Sequence, residues 1–207
     1  MILNLKDMKL INLGEQNSLL NKFVSEIRDK HIQKDSMRFR KNLERIGEIF
    51  AYEISKTLNY EIRDVTTPLG IAKCSFYTDN IVLASILRAG LPLHDGLLSF
   101  FDSAQNAFVA AYRKYGKDNK FTIQFEYASS PSLEEKVLIL ADPMLATGSS
   151  LVLAYQRLIQ MGEPVHTHIV SPIASEQSLG YLSKQLPHKR VTLWVAAVDE
   201  ELTNKSY

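Results

Sequence analysis

The sequence predicts an α/β fold, in which a mainly parallel, twisted sheet is flanked by helices and preceded by N-terminal helices and a β-arm, or hood. Two observations carry this prediction. Apolar runs typical of strands covered on both faces recur along the chain, at 81–87, 107–112, 137–141, 165–174 and 191–198. Helical patterns follow most of these runs, which is the order of βαβ units with right-handed crossovers.

The N-terminal third of the chain predicts helices and then the arm. Residues 18–30 and 35–58 carry apolar positions at helical spacing, with Asp35 or Ser36 as the N-cap of the second helix. Two short extended segments follow, at 60–67 and 71–77, and the Pro and Gly between them favour a hairpin or arm. We expect one domain over residues 1–207, with a helical region to about residue 60, the arm to about residue 78 and the core after it.

Composition excludes several classes of protein. The net charge of +1 provides no general field for nucleic acid or an anionic membrane, so neither is expected as a partner. The basic cluster Arg38, Arg40 and Lys41 is interpreted as a solvated helix face or a subunit contact. The single cysteine, Cys74, excludes an internal disulfide framework, and no apolar run is long enough to span a membrane, so a cytoplasmic protein is expected.

The stretch 136–162 predicts a strand, a small-residue loop and a helix. Asp142 follows the strand at once, and Gly162 ends the helix. The free backbone N–H groups and positive dipole of a helix start suit an anion, and Thr147, Gly148, Ser149 and Ser150 would allow close approach and add donors. The same residues also describe an ordinary strand-to-helix turn with Ser as the N-cap, and this geometry alone does not separate the two. A P-loop is excluded because no Gly-Lys-Ser/Thr occurs.

Arginine follows two of the predicted strands. The run 81–87 leads into Arg88 and Gly90, and the run 107–112 ends at Arg113. A guanidinium at the carboxyl end of a strand can bind phosphate with two donors, and both arginines are expected at the same sheet edge as Asp142. These residues together predict a polyphosphate site. The polar segment 114–119 beyond them is either a mobile lid over an anion or a solvated hairpin tip.

Histidines give weaker signals. His166 and His168 share one strand face by their spacing, and packing or exposure is expected for them in preference to metal binding, because no third ligand is evident. His94, beside Asp95, lies close to Gly90 in sequence and is either part of the site or a helix cap.

Several of these motifs resemble one family. The stretch 142–148, which reads DPMLATG behind an apolar strand, resembles the phosphoribosyl-diphosphate motif of uracil phosphoribosyltransferases. LRAGL at 87–91 resembles their pyrophosphate-contacting segment, Tyr112 and Arg113 resemble a Tyr-Arg pair after the next strand, and AAVDEEL at 196–202 resembles the approach to their base loop. Pro143 stands where most phosphoribosyltransferases carry a second acid, and Ser149 stands where this family commonly has glycine.

The resemblance implies a phosphoribosyltransferase-like fold and the transfer of a phosphoribosyl group from 5-phospho-α-D-ribose 1-diphosphate (PRPP) to uracil, giving UMP and pyrophosphate. It implies Mg²⁺ on the diphosphate, with no metal ligand assigned directly, and a homodimer or higher homo-oligomer. The resemblance implies catalytic roles for Arg88, Arg113 and Asp142. The implied PRPP-binding residues are these three with Pro143, Met144, Leu145, Ala146, Thr147, Gly148, Ser149 and Ser150. Base-recognising residues are expected beyond Tyr207, so none is assigned here.

Two other functions remain open at this level. One is a nucleotide-sensing, RNA-binding regulator built on the same fold, which only the Arg38 to Lys41 cluster supports. The other is a phosphoribosyltransferase that acts on another base, because the base loop is not among these residues.

Overall fold

The structure, a computed structural model, describes residues 4–5, 8–115 and 121–200. Its helices are α1 Leu19–Arg28, α2 Ser36–Ser55, α3 Leu91–Leu98, α4 Ser149–Leu158 and α5 Glu176–Gln185, and short 3-10 turns stand at Leu13–Glu15, Ile32–Lys34, Ile159–Met161 and His188–Arg190. Its strands are β1 Asn4–Leu5, β2 Met8–Asn12, β3 Tyr60–Thr67, β4 Gly70–Tyr77, β5 Ile81–Leu87, β6 Gln105–Tyr115, β7 Phe121–Ser129, β8 Val137–Ala141, β9 Met144–Leu145, β10 His166–Ser175 and β11 Val191–Asp199.

The main sheet is mostly parallel, as the sequence predicts. Its strand order is β1-β2-β11-β10-β8-β5-β6-β7, and the short strand β9 pairs with β10. The six strands from β2 to β6 in this order run parallel, whereas β1 and β7 pair antiparallel at the two ends. Strand β8 therefore lies inside the sheet, which explains why all five of its residues are buried.

Helices cover both faces of the sheet. In β8, Leu138 and Leu140 belong to one apolar cluster with residues of α4 and α5, whereas Ile139 and Ala141 belong to a second cluster with residues of α1, α2 and α3. This alternation follows from the two-residue period of a strand. The continuous apolar runs in the sequence thus reflect a sheet buried from both sides.

The two N-terminal helices form where the sequence predicts them. The Ser18 side chain caps α1 by accepting from Leu20 N at 3.2 Å, and Asp35 Oδ1 caps α2 by accepting from Met37 N and Arg38 N. The basic cluster lies on an exposed part of α2, where Arg38 pairs with the mostly buried Glu26 at 3.1 Å and Lys41 pairs with Glu44 at 2.6 Å.

The arm is a separate two-stranded sheet. Strands β3 and β4 pair antiparallel from Tyr60↔Tyr77 to Thr67↔Gly70, which confirms the predicted hairpin. Cys74 lies on this arm as a free, half-buried thiol.

The expectation that only helices precede the sheet is wrong. Strand β2 joins the main sheet parallel to β11, with Leu10 opposite Leu193. Met8 and Leu10 are fully buried there, while Lys9 between them is exposed. A five-residue alternation that contains one lysine is too short to identify a strand without its distant partner.

The predicted end of the third strand is also wrong. Strand β6 does not stop before Arg113 but continues to Tyr115, and it pairs antiparallel with β7. Cross-strand pairing extends it beyond the buried, apolar part that the sequence pattern records. The predicted lid or hairpin tip falls largely on residues 116–120, which lie outside the described part of the chain.

Pro172 lies inside strand β10 and does not end it. Strand β10 continues to Ser175. Its pairing with β8 ends at Val170 and its pairing with β9 begins at Ile173, so Pro172 falls in the gap between these two sets of strand pairs. A proline is tolerated at such a gap in the hydrogen-bond ladder. Across the described residues, no helix is long and apolar enough to cross a membrane.

Candidate active site

The carboxyl ends of four parallel strands meet at one edge of the sheet. Register places Ser85 of β5 opposite Ala141 of β8, Ala141 opposite Val170 of β10, and Ser175 of β10 opposite Asp199 of β11. Arg88 and Asp142 directly follow β5 and β8, so both leave the sheet at this edge. Open α/β sheets bind ligands at this edge.

The loop 142–148 is fastened to the neighbouring strand β10. Asp142 N donates to Val170 O at 3.0 Å, and the two residues of β9 pair with Ile173 and Ala174. Leu145 and Ala146 are buried, whereas Met144 has 39% of its surface exposed. The loop therefore has a fixed backbone and presents Met144 to solvent.

Gly148 starts helix α4 in a left-handed conformation. Its φ is +75°, and it occupies the N-cap position without a side-chain hydrogen bond to the first turn. The alternative with Ser as the N-cap is wrong, because Ser149 is the first helical residue and its hydroxyl lies 2.8 Å from that of Thr147. The N–H groups of the first turn therefore lack a side-chain cap and are available to an anion.

Ser175 holds the loop from the next strand. Its hydroxyl donates to Ala146 O at 2.5 Å and accepts from Ser178 N at 3.0 Å, so this single side chain caps α5 and fixes the loop. Sequence reasoning missed this residue. The available signal was a serine immediately before an acidic residue at the start of a helical pattern.

Arg88 lies on a tight turn between β5 and α3. A Cβ on Gly90 would stand 2.3 Å from Ser85 Oγ and 2.7 Å from Ile86 O, so only glycine lets the chain turn this closely. The Leu87–Arg88 peptide bond is cis. Arg88 is exposed at this turn.

Arg113 lies farther from the edge than the sequence predicts. Leu87, the last residue of β5, stands opposite Ala110, and Arg113 lies near the tip end of the β6–β7 pairing, opposite Ile123. Three residues of strand correspond to about 10 Å. Only the backbone of Arg113 is described, so its role stays a prediction.

Two cavities adjoin the loop. A small one of about 30 Å³ lies within it, lined by Asp142, Thr147, Gly148 and Ser150 among others. A larger one of about 350 Å³ shares Met144, Leu145 and Ala146 with the first. The remaining lining residues of the larger cavity are Ile27, Arg28, Gln33, Ile173, Ala174, Ser175 and Asp199.

Two of the residues that line the larger cavity form an ion pair. Arg28 at the end of α1 pairs with Asp199 at the end of β11. Arg28 also lines a neighbouring cavity of about 600 Å³ between α1 and β11. These two residues are 171 positions apart in sequence, so no local pattern could have placed them together.

The oxygen atoms at the loop suit a magnesium ion that arrives with a phosphate ligand. In the described part of the chain, no group of three or more His, Cys, Asp or Glu side chains could hold a metal ion. Mg²⁺ commonly takes one or two protein oxygens and completes its shell with phosphate and water. The Asp142 carboxylate and the Thr147 hydroxyl are donors of this kind.

A parallel sheet that delivers an acid, a phosphate-sized loop and an arginine to one edge defines a phosphoribosyltransferase. In agreement, the AQ2163 protein from Aquifex aeolicus superposes with a TM-score of 0.82 at 28% identity, covering 96% of this chain and 91% of that one. A hypoxanthine phosphoribosyltransferase from Staphylococcus aureus shares the fold with a TM-score of 0.52 at 15% identity, over 79% of this chain and 76% of that one.

Residues 14–207 match the family described as uracil phosphoribosyltransferase, and the chain belongs to that family. The uracil phosphoribosyltransferase of Porphyromonas gingivalis is 54% identical over 200 residues, which covers 97% of this chain and 92% of the relative. That of Pyrococcus furiosus is 35% identical over 196 residues, which covers 93% and 82% of the two chains. The resemblance in the sequence motifs is therefore confirmed along almost the whole chain.

Proposed function

We propose that this enzyme transfers the phosphoribosyl group of PRPP to N1 of uracil, giving UMP and pyrophosphate. The observation that carries the proposal is the loop 142–148, which is fixed by β10 and ends in an uncapped helix start, in a chain of the uracil phosphoribosyltransferase family. The relatives named above carry this activity in their names.

The loop holds the sugar phosphate. Thr147, Gly148 and Ser150 line the small cavity. In this proposal their N–H groups and that of Ser149, with the hydroxyls of this stretch, bind the 5′-phosphate. Asp142, at the entrance to the loop, accepts hydrogen bonds from the ribose hydroxyls. The backbone between these two groups runs through Pro143, Met144, Leu145 and Ala146, and it keeps the distance between them fixed.

The leaving group is stabilised electrostatically. Negative charge develops on pyrophosphate as the bond to C1 breaks, and positive charge develops on the ribose ring. Arg88, exposed beside the loop, donates to the pyrophosphate oxygens, and Arg113 on β6 is assigned the same role. Mg²⁺ on the diphosphate, with the Asp142 carboxylate and the Thr147 hydroxyl as candidate protein oxygens, would neutralise further charge there. No side chain is required as a general base.

The larger cavity receives the base. It adjoins the phosphate loop, and the apolar side chains of Ile27, Met144 and Ile173 provide walls for a planar ring. Arg28 and Asp199 supply polar groups to its lining. Residues 201–207 lie outside the described part of the chain, so no contact to the base is assigned to them.

The enzyme acts as a homodimer in the cytoplasm, and its described elements form one domain. The arm presents Ile62, Leu69 and Ile71 to solvent with 72%, 101% and 73% of their surfaces exposed. A two-stranded hairpin is marginally stable by itself, so a second copy that covers the arm would stabilise it. The single free thiol, Cys74, suits the reducing cytoplasm.

A panel of bases tests the proposal. With PRPP and Mg²⁺, uracil should yield UMP and pyrophosphate, whereas cytosine, hypoxanthine and guanine should not. Arg88→Ala should lower kcat/KM by about 10²- to 10³-fold, and Arg157→Ala, a matched change of an exposed arginine on α4, should leave it unchanged. Conversion of a purine base without conversion of uracil would refute the assignment.

A further inference from the structure

A cavity of about 370 Å³ lies at the amino edge of the sheet, opposite the phosphate loop. Its polar lining residues include Lys9, Asn59, Asp79, His166, His168 and Thr192. Strand β10 runs from His166 at this cavity to Ser175 at the phosphate loop. Nine strand steps span about 30 Å, so this cavity is separate from the candidate active site.

His168 presents a hydrogen-bond donor to this cavity. The ring is buried, with 4% of the residue exposed, and its Nδ1 accepts from Trp194 Nε1 at 3.0 Å. An indole N–H can only donate, so Nδ1 carries the lone pair and a neutral ring carries its proton on Nε2. Burial, followed by the charges of His166 and Lys9, lowers the pKa of His168 to about 3, which keeps the ring neutral near pH 7.

The Nε2–H group of His168 meets no acceptor among the described residues. The hydrogen bond to Trp194 uses the other nitrogen, and the ring lines the cavity. A donor that opens into a cavity can be satisfied there by water or by the acceptor of a ligand. The Nε2–H group is therefore available to a ligand that carries an acceptor.

The surrounding charges favour an anionic acceptor. Lys9 stands opposite Thr192 on the neighbouring strand, and its positive charge is felt at both histidines. Asp79 also lines the cavity, but its carboxylate accepts from Asn59 N at 2.6 Å and from Asn59 Nδ2 at 3.0 Å, and it is not among the charges that shift the pKa of either histidine. An oxygen atom of an anion can therefore accept from His168 while it faces Lys9.

The same hydrogen bond argues against a metal ion at this position. His166 and His168 lie with ring centroids 4.7 Å apart, which by itself resembles a pair of ligands. A metal needs a nitrogen lone pair, but Trp194 directs the lone pair of His168 toward itself and away from the cavity. His166 Nε2 is taken by the Thr192 hydroxyl at 3.0 Å.

We propose that this amino-edge cavity binds a small organic anion, whose carboxylate or phosphate oxygen accepts from His168 Nε2–H and faces Lys9. The apolar part of the ligand packs against Leu58, Val165 and the indole of Trp194, which also line the cavity. The volume falls within the range of small-molecule sites. Nothing in the proposed transfer reaction uses these residues, so the site is additional to it.

Trp194 allows a direct test because it is the only tryptophan in the chain. Its fluorescence is recorded while benzoate, phenyl phosphate, acetate or inorganic phosphate is added to the protein saturated with PRPP. We expect a saturable change with benzoate or phenyl phosphate, and comparison of these two separates a carboxylate from a phosphate ligand. Acetate and inorganic phosphate should bind at least about tenfold more weakly because they lack the apolar part.

Two variants show whether the change comes from this site. Lys9→Gln, on an exposed side chain, and His168→Gln, which keeps an acceptor for Trp194, should each weaken binding by about tenfold. Lys136→Gln is the control, because it removes a positive charge from the same edge of the sheet. Lys136 donates to Gln105 and does not line the cavity, so this variant should bind the probes as tightly as the wild type does. Absence of a saturable change with every probe, equal binding by Lys9→Gln, or saturable binding of Zn²⁺ would each overturn the proposal.

Discussion

Gly148 joins the backbone conformation of the loop to its capacity to bind phosphate. Its φ of +75° turns the chain from the loop into α4, beside the small cavity that Thr147, Gly148 and Ser150 line. A side chain at this position would meet Leu182 and Tyr181 at 3.4 Å, which is ordinary contact. The need for glycine therefore comes from the backbone conformation and not from lack of space.

We expect Gly148→Ala to destabilise the protein by about 1–2 kcal/mol and to raise KM for PRPP. Gly180→Ala is the matched control, because Gly180 lies inside α5 with open space around it and has no positive φ. That change should stabilise the protein by about 0.4–1 kcal/mol without affecting KM. Urea unfolding and initial rates measure both quantities, and an unchanged KM for Gly148→Ala would contradict this role.

His168 makes the stability depend on pH. In the unfolded chain the imidazole binds a proton near its ordinary pKa of 6.5, whereas in the fold this pKa falls to about 3. The unfolded state therefore binds more protons between these values, so the stabilisation is complete above about pH 6.5 and is lost as the pH falls toward 3. His166 contributes with the same sign, because burial and Lys9 lower its pKa as well.

We expect His168→Gln to flatten this dependence, since glutamine can accept from Trp194 but does not titrate in this range. The free energy of unfolding in urea, measured at about pH 7 and about pH 5, should fall more in the wild type than in the variant, by up to about 1.4 kcal/mol per pH unit. Carboxylates such as Glu26 and Asp29 titrate in both proteins and cancel in the difference. A constant difference between the two proteins across this range would show that His168 is not responsible.

At the scale of elements, Ser175 connects two of them. It starts α5 and also bonds Ala146 O, so the helix and the phosphate loop share one side chain. This contact, together with the pairing of β9 with β10, keeps the backbone of the loop defined.

Ser175→Ala should cost about 1 kcal/mol of stability through the lost cap and should also raise KM for PRPP, because Ala146 O loses its donor. Ser18→Ala removes the cap of α1, far from the loop, and should cost a similar amount of stability with KM unchanged. Urea unfolding and a PRPP saturation curve provide the two readouts. An equal KM in both variants would mean that the loop does not depend on Ser175.

Elements that local physics determines could be predicted from the sequence. The strands at Ile81–Leu87 and Val137–Ala141 are buried on both faces, and Asp35 caps α2 directly, so pattern and capping identify them. Strand β2 could not be predicted in this way, since its pairing with β11 joins residues almost the whole chain apart. The extension of β6 past Arg113 likewise depends on its partner β7.

The candidate site also contains residues that the local sequence identifies and residues that only the fold brings together. Arg88 and the residues from Asp142 to Ser150 are contiguous motifs that can be found by inspection. Ser175 reaches the loop from 29 residues away, and Arg28 meets Asp199 across 171 positions, so only the fold reveals them. The residues proposed to bind phosphate can therefore be predicted from a local sequence pattern. The residues that line the base cavity come together only through tertiary contacts.

At the scale of the whole molecule, the two edges of the parallel sheet carry different groups. The carboxyl edge presents the phosphate loop, the base cavity and Arg88, whereas the amino edge presents the histidine cavity. Strands β10 and β11 reach both edges, so each could transmit a change from one cavity to the other. Initial rates of Lys9→Gln and His168→Gln, measured with and without the anion, show whether the amino-edge cavity affects the reaction or only binds a ligand.

The arm is the remaining feature at this scale, and its apolar surface predicts the assembly. Ile62 and Ile71 share one face of the arm. Ile71 stands opposite Thr66, and Thr66 lies four residues after Ile62 on β3, which places both on the same side of that strand. Changing both isoleucines to lysine should convert the proposed dimer into a monomer with unchanged helical content, because charged side chains on that face cannot be buried against a second copy.

Sedimentation velocity at micromolar concentration measures this assembly, and circular dichroism checks the fold. Met37→Lys is the control, because Met37 is as exposed as the isoleucines, at 74%, but lies on α2, the other surface considered for a subunit contact. Dissociation by Met37→Lys alone would place the interface on the N-terminal helices instead, and a monomeric wild type would remove the dimer altogether. If the arm variant is monomeric and still makes UMP, each copy contains a complete site, whereas loss of activity with the fold intact would mean that the reaction requires the neighbouring copy.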